Sequence, residues 1–343
     1  MAAVAVLGAA SGCGVVAAAP RERVRAEVLA ARRPAERRSE SSDVARWPAV
    51  RRSASAGGAP FAVGERILRL VDHSRRIRLP GGRLVPRPVT TIVRYPALGP
   101  ATGTDRTGAA PDRAAGPFGL VVFGHGFAVT PRPYAALLRA WTRAGFIVAA
   151  PIFPLENANA PGGPDEDDLV NQPRDMRFVI SSLLGLSRRR GSLLQGMIDS
   201  RRIAVSGQSD GGETALFTAY VPGYRDLRVR AAVILSGAVL PHGPFRFPRG
   251  GPALLATQGT ADTINPPRFT DRSFALARRP KFLLALLGAG HLPPYTTQQP
   301  QLSIVARVSV AFLRGYLDGE RDAASRVRAA AHAPGIAALS ADP

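Results

Sequence analysis

Residues 203–216, IAVSGQSDGGETAL, have a serine at the centre of a glycine-rich turn. The apolar run at 203–205 is typical of a buried strand, and the residues after the turn are typical of a helix. A G-x-S-x-G pattern between a strand and a helix predicts that Ser209 is a nucleophile held on a sharp turn. We expect Gly207 and Gly211 to be required there, because side chains on either flank would collide with neighbouring elements. The alternative is a passive glycine turn, since short motifs also arise by chance in a chain with 35 glycines.

The sequence around this turn alternates between short apolar runs and helical patterns. Two early runs, ERILRLV and VTTIVRYPAL, predict strands that are split by the turn-like LPGGRL. Further strands are predicted at LVVFGHGF, FIVAAP, RIAVSG, AAVILSGA, ALLATQG and FLLALLGAG, and helices near 134–141, 165–184, 213–220, 269–276 and 302–317. Apolar strands that alternate with helices indicate a mostly parallel sheet with helices on both faces. We therefore predict a doubly wound α/β domain over residues 61–320.

Two further polar residues follow strands of this predicted sheet. Asp262, in QGTADTINP, comes after ALLATQG, and His291, in LLGAGHLPPY, comes after FLLALLGAG. In doubly wound sheets the reactive groups collect at the carboxyl ends of the strands. A serine hydroxyl needs a base to take its proton and a third group to orient that base. The chain order serine, acid, histidine therefore predicts a catalytic triad of Ser209, Asp262 and His291.

Acyl transfer also needs donors for the oxyanion of the tetrahedral intermediate. One predicted donor is the backbone amide of Asp210, which follows the nucleophile at the start of a helix. The second is the amide of Phe127, in the loop after VVFGHG. His125, in the same loop, is expected to shape the loop through hydrogen bonds or to line the site. His242, in VLPHGPF, is expected either at the site entrance or on a surface loop.

Four contiguous acidic residues at 165–168 follow Pro164. Proline followed by acids is what the first turn of a helix prefers, whereas an EF-hand loop needs its acids at alternate positions. We therefore predict a helix N-terminus here and no calcium site. Cys13 is the only cysteine, which excludes an intrachain disulfide and a cysteine-based metal site.

The chain carries a formal net charge of +20, with 45 basic and 25 acidic residues, and Lys281 is its only lysine. Such a charge is a feature of many nucleic-acid-binding proteins. The excess is spread along the chain, however, and no arginine stripe with interleaved aromatic residues and no RNA-module signature is present. An arginine- and alanine-rich composition almost without lysine is better explained by the codon bias of a GC-rich genome. No nucleic-acid partner is expected.

The segments outside the predicted domain have different compositions. Residues 1–19 include small residues directly before Cys13 at the end of an apolar run, which resembles the lipobox of bacterial lipoproteins. We expect an export signal, so that the protein is either secreted or, if Cys13 is lipidated, anchored to a membrane of the cell envelope. The alternative is an alanine-rich terminus of a cytoplasmic protein. Residues 20–60 are rich in arginine, alanine, glutamate and serine and predict a disordered linker. Residues 321–343 are expected to be a flexible tail.

The motifs FGHGF, GQSDGG, GTADTINP and GAGHLPPY together resemble those of the α/β-hydrolase family over residues 61–319. Within that family the chain is similar to the dienelactone-hydrolase-like, platelet-activating-factor-acetylhydrolase-like and polyester-hydrolase-like esterases of bacteria. The resemblance implies a serine-histidine-aspartate mechanism that cleaves small or polymeric carboxylic esters, with no metal or organic cofactor. The short connection between AAVILSGA and ALLATQG implies little or no cap domain.

The sequence also departs from these esterases at the nucleophile. Dienelactone hydrolases proper carry a cysteine where this chain has Ser209. Polyester hydrolases usually have histidine and methionine where this chain has Gln208 and Asp210, and the disulfide common among them is impossible here. Because one fold supports many reactions, an amidase, an acyltransferase or a non-catalytic binding module with a vestigial triad remain alternatives to an esterase.

Overall fold

The first elements of the structure are two long antiparallel strands, β1 (Ala62–Arg78) and β2 (Leu84–Ala97). They are joined by a turn in which Gly81 and Gly82 have φ angles of 80° and 83°, a conformation that suits glycine because it has no side chain. Both strands contain valine, isoleucine and arginine, and both begin before the two early strands predicted from the sequence. The computed structural model describes residues 59–241, 243 and 245–343.

Strands and helices then alternate, as the sequence predicted. The strands after the first hairpin are β3 (Arg106–Thr107), β4 (Phe118–Gly124), β5 (Phe146–Pro151), β6 (Ile198–Gln208), β7 (Val229–Leu235), β8 (Ala253–Gly259), β9 (Lys281–Leu286) and β10 (Ala337–Asp342). The helices are α1 (Ala135–Arg143), α2 (Gln172–Arg188), α3 (Asp210–Tyr220), α4 (Pro267–Leu276), α5 (Pro293–Thr296), α6 (Gln301–Tyr316) and α7 (Ala323–Ala331). Short 3-10 turns, Arg132–Tyr134 and Glu166–Asn171, precede α1 and α2.

The ten strands form one sheet in the order β10-β9-β8-β7-β6-β4-β5-β2-β1-β3. Strands β4 to β9 pair in parallel, and the antiparallel pairs are β1 with β2, β2 with β5, and β9 with β10. The molecule is therefore an α/β protein with a mostly parallel sheet, which is compatible with the predicted doubly wound arrangement. From β4 the chain runs to β5 on one side and then returns to β6 on the other. The carboxyl ends of β4 and β6 thus border a topological switch point.

Side chains of the central strands alternate between two hydrophobic cores, one on each face of the sheet. In β4, Leu120 and Val122 belong to the core that contains residues of α2 and α3. Val121 and Phe123 belong to the other core, which contains residues of α1, α6 and α7. The continuous apolar run of β4 is explained by this burial on both faces, because successive side chains of a strand point to opposite sides.

The last residues of the chain are ordered, so the expected flexible tail at 321–343 is wrong. Helix α7 buries Val327 and Ala331 in the second core, and β10 pairs antiparallel with β9. A Cβ atom built on Gly315 of α6 would collide with the side chain of Ala323, so glycine lets the two helices pack closely. Strand β10 is held through backbone hydrogen bonds, which do not depend on apolar side chains, and its composition therefore gave little signal.

A buried ion-pair cluster joins β2 to α2 and to the 3-10 turn before it. Arg87 contacts the carboxylates of Asp168 and Asp175, each at 2.6 Å, and all three side chains are almost completely buried. Asp165 accepts a hydrogen bond from the Asp167 amide at 3.0 Å, as expected for the first residues of a helical segment. The acidic run therefore begins a helical segment, as predicted, but Asp168 is also a core ion-pair partner.

Residues 59–240 and 245–343 belong to one compact unit. The described residues between β7 and β8 form neither a helix nor a strand, which is consistent with a small cap or none. In the part of the chain that the structure describes, no helix has both the length and the hydropathy that a membrane span requires.

Candidate active site

Ser209 lies on the turn between β6 and α3 in a strained backbone conformation. Its φ and ψ angles are 55° and −124°, a combination that residues other than glycine rarely adopt. The Ser209 amide donates a hydrogen bond to the carbonyl of Leu235 in β7 at 3.0 Å, and its own carbonyl accepts one from the Glu213 amide at 3.0 Å. The turn is therefore fixed from the sheet on one side and from the helix on the other.

Close backbone approach explains the glycines around this serine. A Cβ atom on Gly207 would collide with the carbonyl of Gly211, and one on Gly211 would collide with the carbonyl of Gly124 at the end of β4. A Cβ atom on Gly237, which follows β7, would collide with the carbonyl of Ser209. Packing at the switch point between β4 and β6 therefore leaves no room for a side chain at position 207 or 211.

The structure brings Ser209, His291 and Asp262 together in a linear arrangement. The Ser209 Oγ atom is 2.9 Å from Nε2 of His291, and Nδ1 of His291 is 2.8 Å from Oδ2 of Asp262. The Asp262 side chain is buried, whereas 16% of the His291 side chain is exposed. The imidazole therefore contacts the hydroxyl on one side and the carboxylate on the other, and its edge reaches solvent.

Two loops at the carboxyl ends of β8 and β9 hold Asp262 and His291. A Cβ atom on Gly259, the last residue of β8, would collide with the carbonyls of Ala289 and Gly290, so the second loop packs directly on this glycine. The Ala261 amide donates to the Ala289 carbonyl at 3.0 Å, and the Gly288 amide donates to Oγ1 of Thr260 at 2.8 Å. These contacts bring Asp262 and His291 to the same end of the sheet.

Tyr295 fixes the chain that follows His291. It lies in the short helix α5 and is fully buried. Its hydroxyl is 2.8 Å from Oγ of Ser236 and accepts a hydrogen bond from Oγ1 of Thr257 at 3.2 Å. Burial raises the pKa of Tyr295 to about 12, so the phenol stays neutral at physiological pH. Hydrogen bonds therefore join the chain that follows His291 to Ser236, directly after β7, and to Thr257 in β8.

The Asp262 carboxylate is held in its ionised form. Burial alone would raise its pKa, but hydrogen bonds from His291 and from the Asn265 amide hold the pKa below its ordinary value. Oδ1 accepts from the amides of Ile264 and Asn265 at 3.0 and 2.9 Å, and Oδ2 accepts from Nε2 of Gln258 at 3.2 Å. An ionised carboxylate accepts the Nδ1 proton of His291, which leaves Nε2 to accept the proton of Ser209.

The loop after β4 lies beside the serine, where the sequence predicted an oxyanion hole. A Cβ atom on Gly126 would be 3.1 Å from Cβ of Ser209, so the loop backbone passes close to the nucleophile. The next residue, Phe127, is 39% exposed. No described residue accepts a hydrogen bond from its amide. Asp210 is the first residue of α3, and the N–H groups of a first helical turn point away from the helix body.

His125 shapes this loop and does not line the site. Its ring is completely buried. The Nδ1 atom is 2.8 Å from the carbonyl oxygen of Gly126, and Nε2 accepts a hydrogen bond from the amide of Phe153 at 3.0 Å. The pair of contacts fixes the neutral tautomer that carries its proton on Nδ1. Burial lowers the pKa of His125 to about 4, against a smaller opposite effect of the Gly126 carbonyl. Both ring nitrogens therefore contact backbone groups, as a role in shaping the loop requires, and the ring has no exposed surface.

Three polar residues around the triad were not singled out as site residues by the sequence analysis. Gln258 donates to Asp262, and its Oε1 accepts from Oγ1 of Thr270 at 2.6 Å. Gln208 lies within hydrogen-bond distance of His291, and Tyr134 donates to Oε1 of Gln208 at 2.8 Å. Gln208 is the last residue of β6 and directly precedes Ser209, and Gln258 is the second-last residue of β8. This position near a strand end was the only signal for them.

A buried carboxyl group lies behind the oxyanion loop. Glu156 is completely buried, and neither of its side-chain oxygens has a hydrogen-bond partner among the described residues. Its carbonyl accepts the amide of Ala128 at 3.0 Å, so it packs directly behind the loop. Burial, and then the nearby Asp210 carboxylate, raises the pKa of Glu156 well above its ordinary value of 4.5. Glu156 therefore keeps its proton to a higher pH than an exposed glutamate does.

The remaining predicted site features are Cys13, His242 and the absence of a metal site. Cys13 and His242 lie outside the described residues, as do the expected export signal and nearly all of the linker. Within residues 59–241 and 245–343, no group of three or more histidine, cysteine or acidic side chains has an arrangement that could hold a metal ion. Neither a scan of protein-family models nor a search of curated proteins finds a match to this chain.

Proposed function

We propose that the chain is a serine hydrolase of the α/β-hydrolase fold that cleaves carboxylic esters through an acyl-enzyme intermediate. The observation that carries the proposal is the alignment of Ser209, His291 and Asp262, with contacts of 2.9 and 2.8 Å. These side chains come from three separate loops at one end of a parallel sheet. The strained backbone of Ser209 supports the same conclusion, because such a turn exposes a nucleophile above the sheet.

In the proposed first step, His291 takes the hydroxyl proton as Ser209 Oγ attacks the ester carbonyl carbon. The developing oxyanion accepts hydrogen bonds from the backbone amides of Phe127 and Asp210, and Asp262 stabilises the imidazolium. His291 then gives its proton to the alcohol as the C–O bond breaks, which leaves an acylated serine. Water repeats the sequence, with His291 as its base, and releases the carboxylic acid.

The test uses the full chain with p-nitrophenyl esters of short and medium acyl chains. Ser209→Ala is expected to reduce turnover at least about 10³-fold, since it removes the only covalent nucleophile of the mechanism. The matched control is Ser273→Ala, which removes a buried hydroxyl that donates to the Ala238 carbonyl and to no triad residue. Retained turnover in Ser209→Ala would refute the assignment.

A fluorophosphonate probe provides a second test that does not depend on the choice of ester. The wild-type chain is expected to form an adduct on Ser209, detected by peptide mass spectrometry, and Ser209→Ala is not. Absence of the adduct in the folded wild-type chain would favour a non-catalytic binding module. Product analysis with amide substrates and with added alcohols would distinguish an esterase from an amidase or an acyltransferase.

A further inference from the structure

Gln208 contacts the residue proposed as the catalytic base, although it directly precedes the nucleophile in the sequence. Its Nε2 atom is 3.1 Å from the carbonyl oxygen of His291 and 3.2 Å from Nε2 of the His291 ring. The side chain is almost completely buried. Gln208 is therefore a neutral polar residue that contacts both the backbone and the imidazole of His291.

The hydrogen bonds around Gln208 define the orientation of its amide. The Tyr134 hydroxyl donates to Oε1 at 2.8 Å, so the oxygen faces Tyr134 and the NH₂ group faces His291. Burial raises the pKa of Tyr134 well above its ordinary value, so the phenol keeps its proton at physiological pH. A flipped amide would bring its NH₂ group against the hydroxyl hydrogen and its oxygen against the His291 carbonyl.

The same side chain is connected to the proposed oxyanion loop. The Gly126 amide donates a long hydrogen bond of 3.4 Å to the Tyr134 hydroxyl. A Cβ atom on Gly126 would be only 2.8 Å from Oε1 of Gln208, so the loop backbone and the glutamine are packed against each other. The chain of donors runs from Gly126 through Tyr134 and Gln208 to the carbonyl of His291, without a charged group.

The geometry points to Gln208 as a positioning residue for His291, held in place by Tyr134. This inference rests on the proposed serine-hydrolase function and adds a further residue to it. In the resting enzyme the Gln208 amide and the Ser209 hydroxyl both approach Nε2 of His291. When Nε2 takes the serine proton it becomes a donor, and the bond from Gln208 to the His291 carbonyl then keeps the ring near the reacting atoms.

The first test replaces Gln208 with a residue of similar size that has no donor. Gln208→Met is expected to lower kcat about 10- to 100-fold for a p-nitrophenyl ester, because a base displaced by as little as 1 Å loses about that much rate. KM is expected to stay within about threefold, since the buried Gln208 side chain presents almost no surface to a substrate. Gln208→Glu keeps the shape but replaces the NH₂ group with an oxygen that faces the His291 carbonyl, and it is expected to lose kcat as well.

The control is Gln172→Met, because Gln172 is also buried and also makes a side-chain hydrogen bond. Its Oε1 atom accepts a hydrogen bond from Oγ1 of Thr214 at 2.7 Å. Both variants lose a buried amide, so thermal unfolding measures the stability cost that they share. The control is expected to keep wild-type kcat. A Gln208→Met variant that keeps kcat within twofold, or that loses activity only through KM, would overturn the inference.

A double-mutant cycle tests the role of Tyr134. Tyr134→Phe is expected to lower kcat about 2- to 10-fold through loss of one buried hydrogen bond. The double variant Tyr134→Phe/Gln208→Met is expected to be within about threefold of Gln208→Met alone, because Tyr134 acts through Gln208. Tyr220→Phe is the control for loss of a buried phenol, since its hydroxyl donates to the Pro252 carbonyl. Additive losses in the cycle would overturn the link to Tyr134.

The rate of fluorophosphonate labelling separates this inference from the proposed function. If the wild-type chain is labelled on Ser209 and Gln208→Met is labelled about 10-fold more slowly or worse, both hold. If both proteins are labelled equally fast, the serine-hydrolase function stands and the positioning role of Gln208 fails. If the folded wild-type chain is not labelled, the proposed function fails and the inference fails with it.

Discussion

Gly211, the second residue of helix α3, packs directly against the carbonyl of Gly124 at the end of β4. A Cβ atom at position 211 would overlap backbone, which has no flexible end that could move away. We therefore predict that Gly211→Ala lowers the free energy of unfolding by at least about 3 kcal/mol, the upper part of the range for overpacked cores. Urea denaturation followed by circular dichroism measures this loss.

Gly185 provides the matched control for that substitution. It lies inside helix α2, and a Cβ atom there would meet no atom within 4 Å. Gly185→Ala is expected to raise the free energy of unfolding by about 0.5–1 kcal/mol, because alanine is the better helix former. Equal effects of the two substitutions would contradict the packing argument at Gly211.

Asp262→Asn is predicted to lower kcat about 10³- to 10⁴-fold. Oδ1 is occupied by the amides of Ile264 and Asn265, so the NH₂ group of asparagine has to take the position of Oδ2, next to His291. It would then donate to Nδ1, which leaves the imidazole proton on Nε2, where it cannot accept the proton of Ser209. Ester hydrolysis under single-turnover conditions measures the effect.

Asp226→Asn is the control for that loss of activity. Asp226 is buried, and like Asp262 it accepts a hydrogen bond from a backbone amide, that of Arg228 at 3.0 Å. Unlike Asp262, it follows helix α3 and not a strand of the site. Its variant is expected to lose some stability and to keep wild-type kcat. A similar fall in kcat for both variants would show that loss of a buried carboxylate, and not the tautomer of His291, limits activity.

The residues of the candidate triad could be predicted because each follows a strand that its own apolar pattern predicts. Ser209, Asp262 and His291 come after β6, β8 and β9, and parallel strands bring their carboxyl ends to the same side of the sheet. The sheet itself was predictable for the same reason, since six continuous apolar runs indicated burial on both faces. Sequence order and strand direction were sufficient, and no side-chain contact had to be known.

The supporting contacts could not be predicted in this way. Tyr134 and Gln208 are 74 positions apart, and a tyrosine that opens an amphipathic helix has the pattern of an ordinary core residue. Strand β10 is held by backbone hydrogen bonds to β9, which any sequence can make. Arg87 lies between two prolines in β2 and looks like an exposed arginine in a chain that has many. In each case the deciding partner is distant in the sequence.

Glu156→Gln is predicted to stabilise the fold increasingly as the pH rises. The pKa of Glu156 is raised above 4.5 in the folded state, by burial first and by the Asp210 carboxylate second. Well below pH 4.5 the group is protonated in both the folded and the unfolded state, so its ionisation does not affect stability. Above that pH the unfolded chain ionises while the folded chain does not, so the wild type loses up to about 1.4 kcal/mol per pH unit until the folded group also ionises.

Thermal unfolding of wild type and Glu156→Gln from pH 4 to pH 9 measures this difference. The two melting temperatures are expected to be similar at pH 4 and to separate as the pH rises, with the glutamine variant higher. Melting curves that run parallel over the whole range would contradict the neutral state of Glu156 in the folded protein.

Arg87→Met is predicted to lower the free energy of unfolding by about 3–5 kcal/mol, the range for a buried ion pair that loses one partner. Asp175 would keep its ion pair with Arg75, at 2.6 Å. Asp168 would lose its ion pair with Arg87 and keep only the hydrogen bond from the Asn171 side chain. Because burial raises the pKa of Asp168 even beside Arg87, the variant is expected to regain part of its stability at low pH, where the acid is neutral.

Arg201→Met is the control for this ion pair, because Arg201 contacts Asp199 at 3.3 Å while 59% of its side chain is exposed. An exposed pair contributes at most about 1 kcal/mol, so the control is expected to unfold close to the wild type. The double variant Arg87→Met/Asp168→Asn removes the unpaired charge and is expected to recover part of the loss. If Arg87→Met costs no more than Arg201→Met, the buried cluster does not hold the segment before α2 against β2.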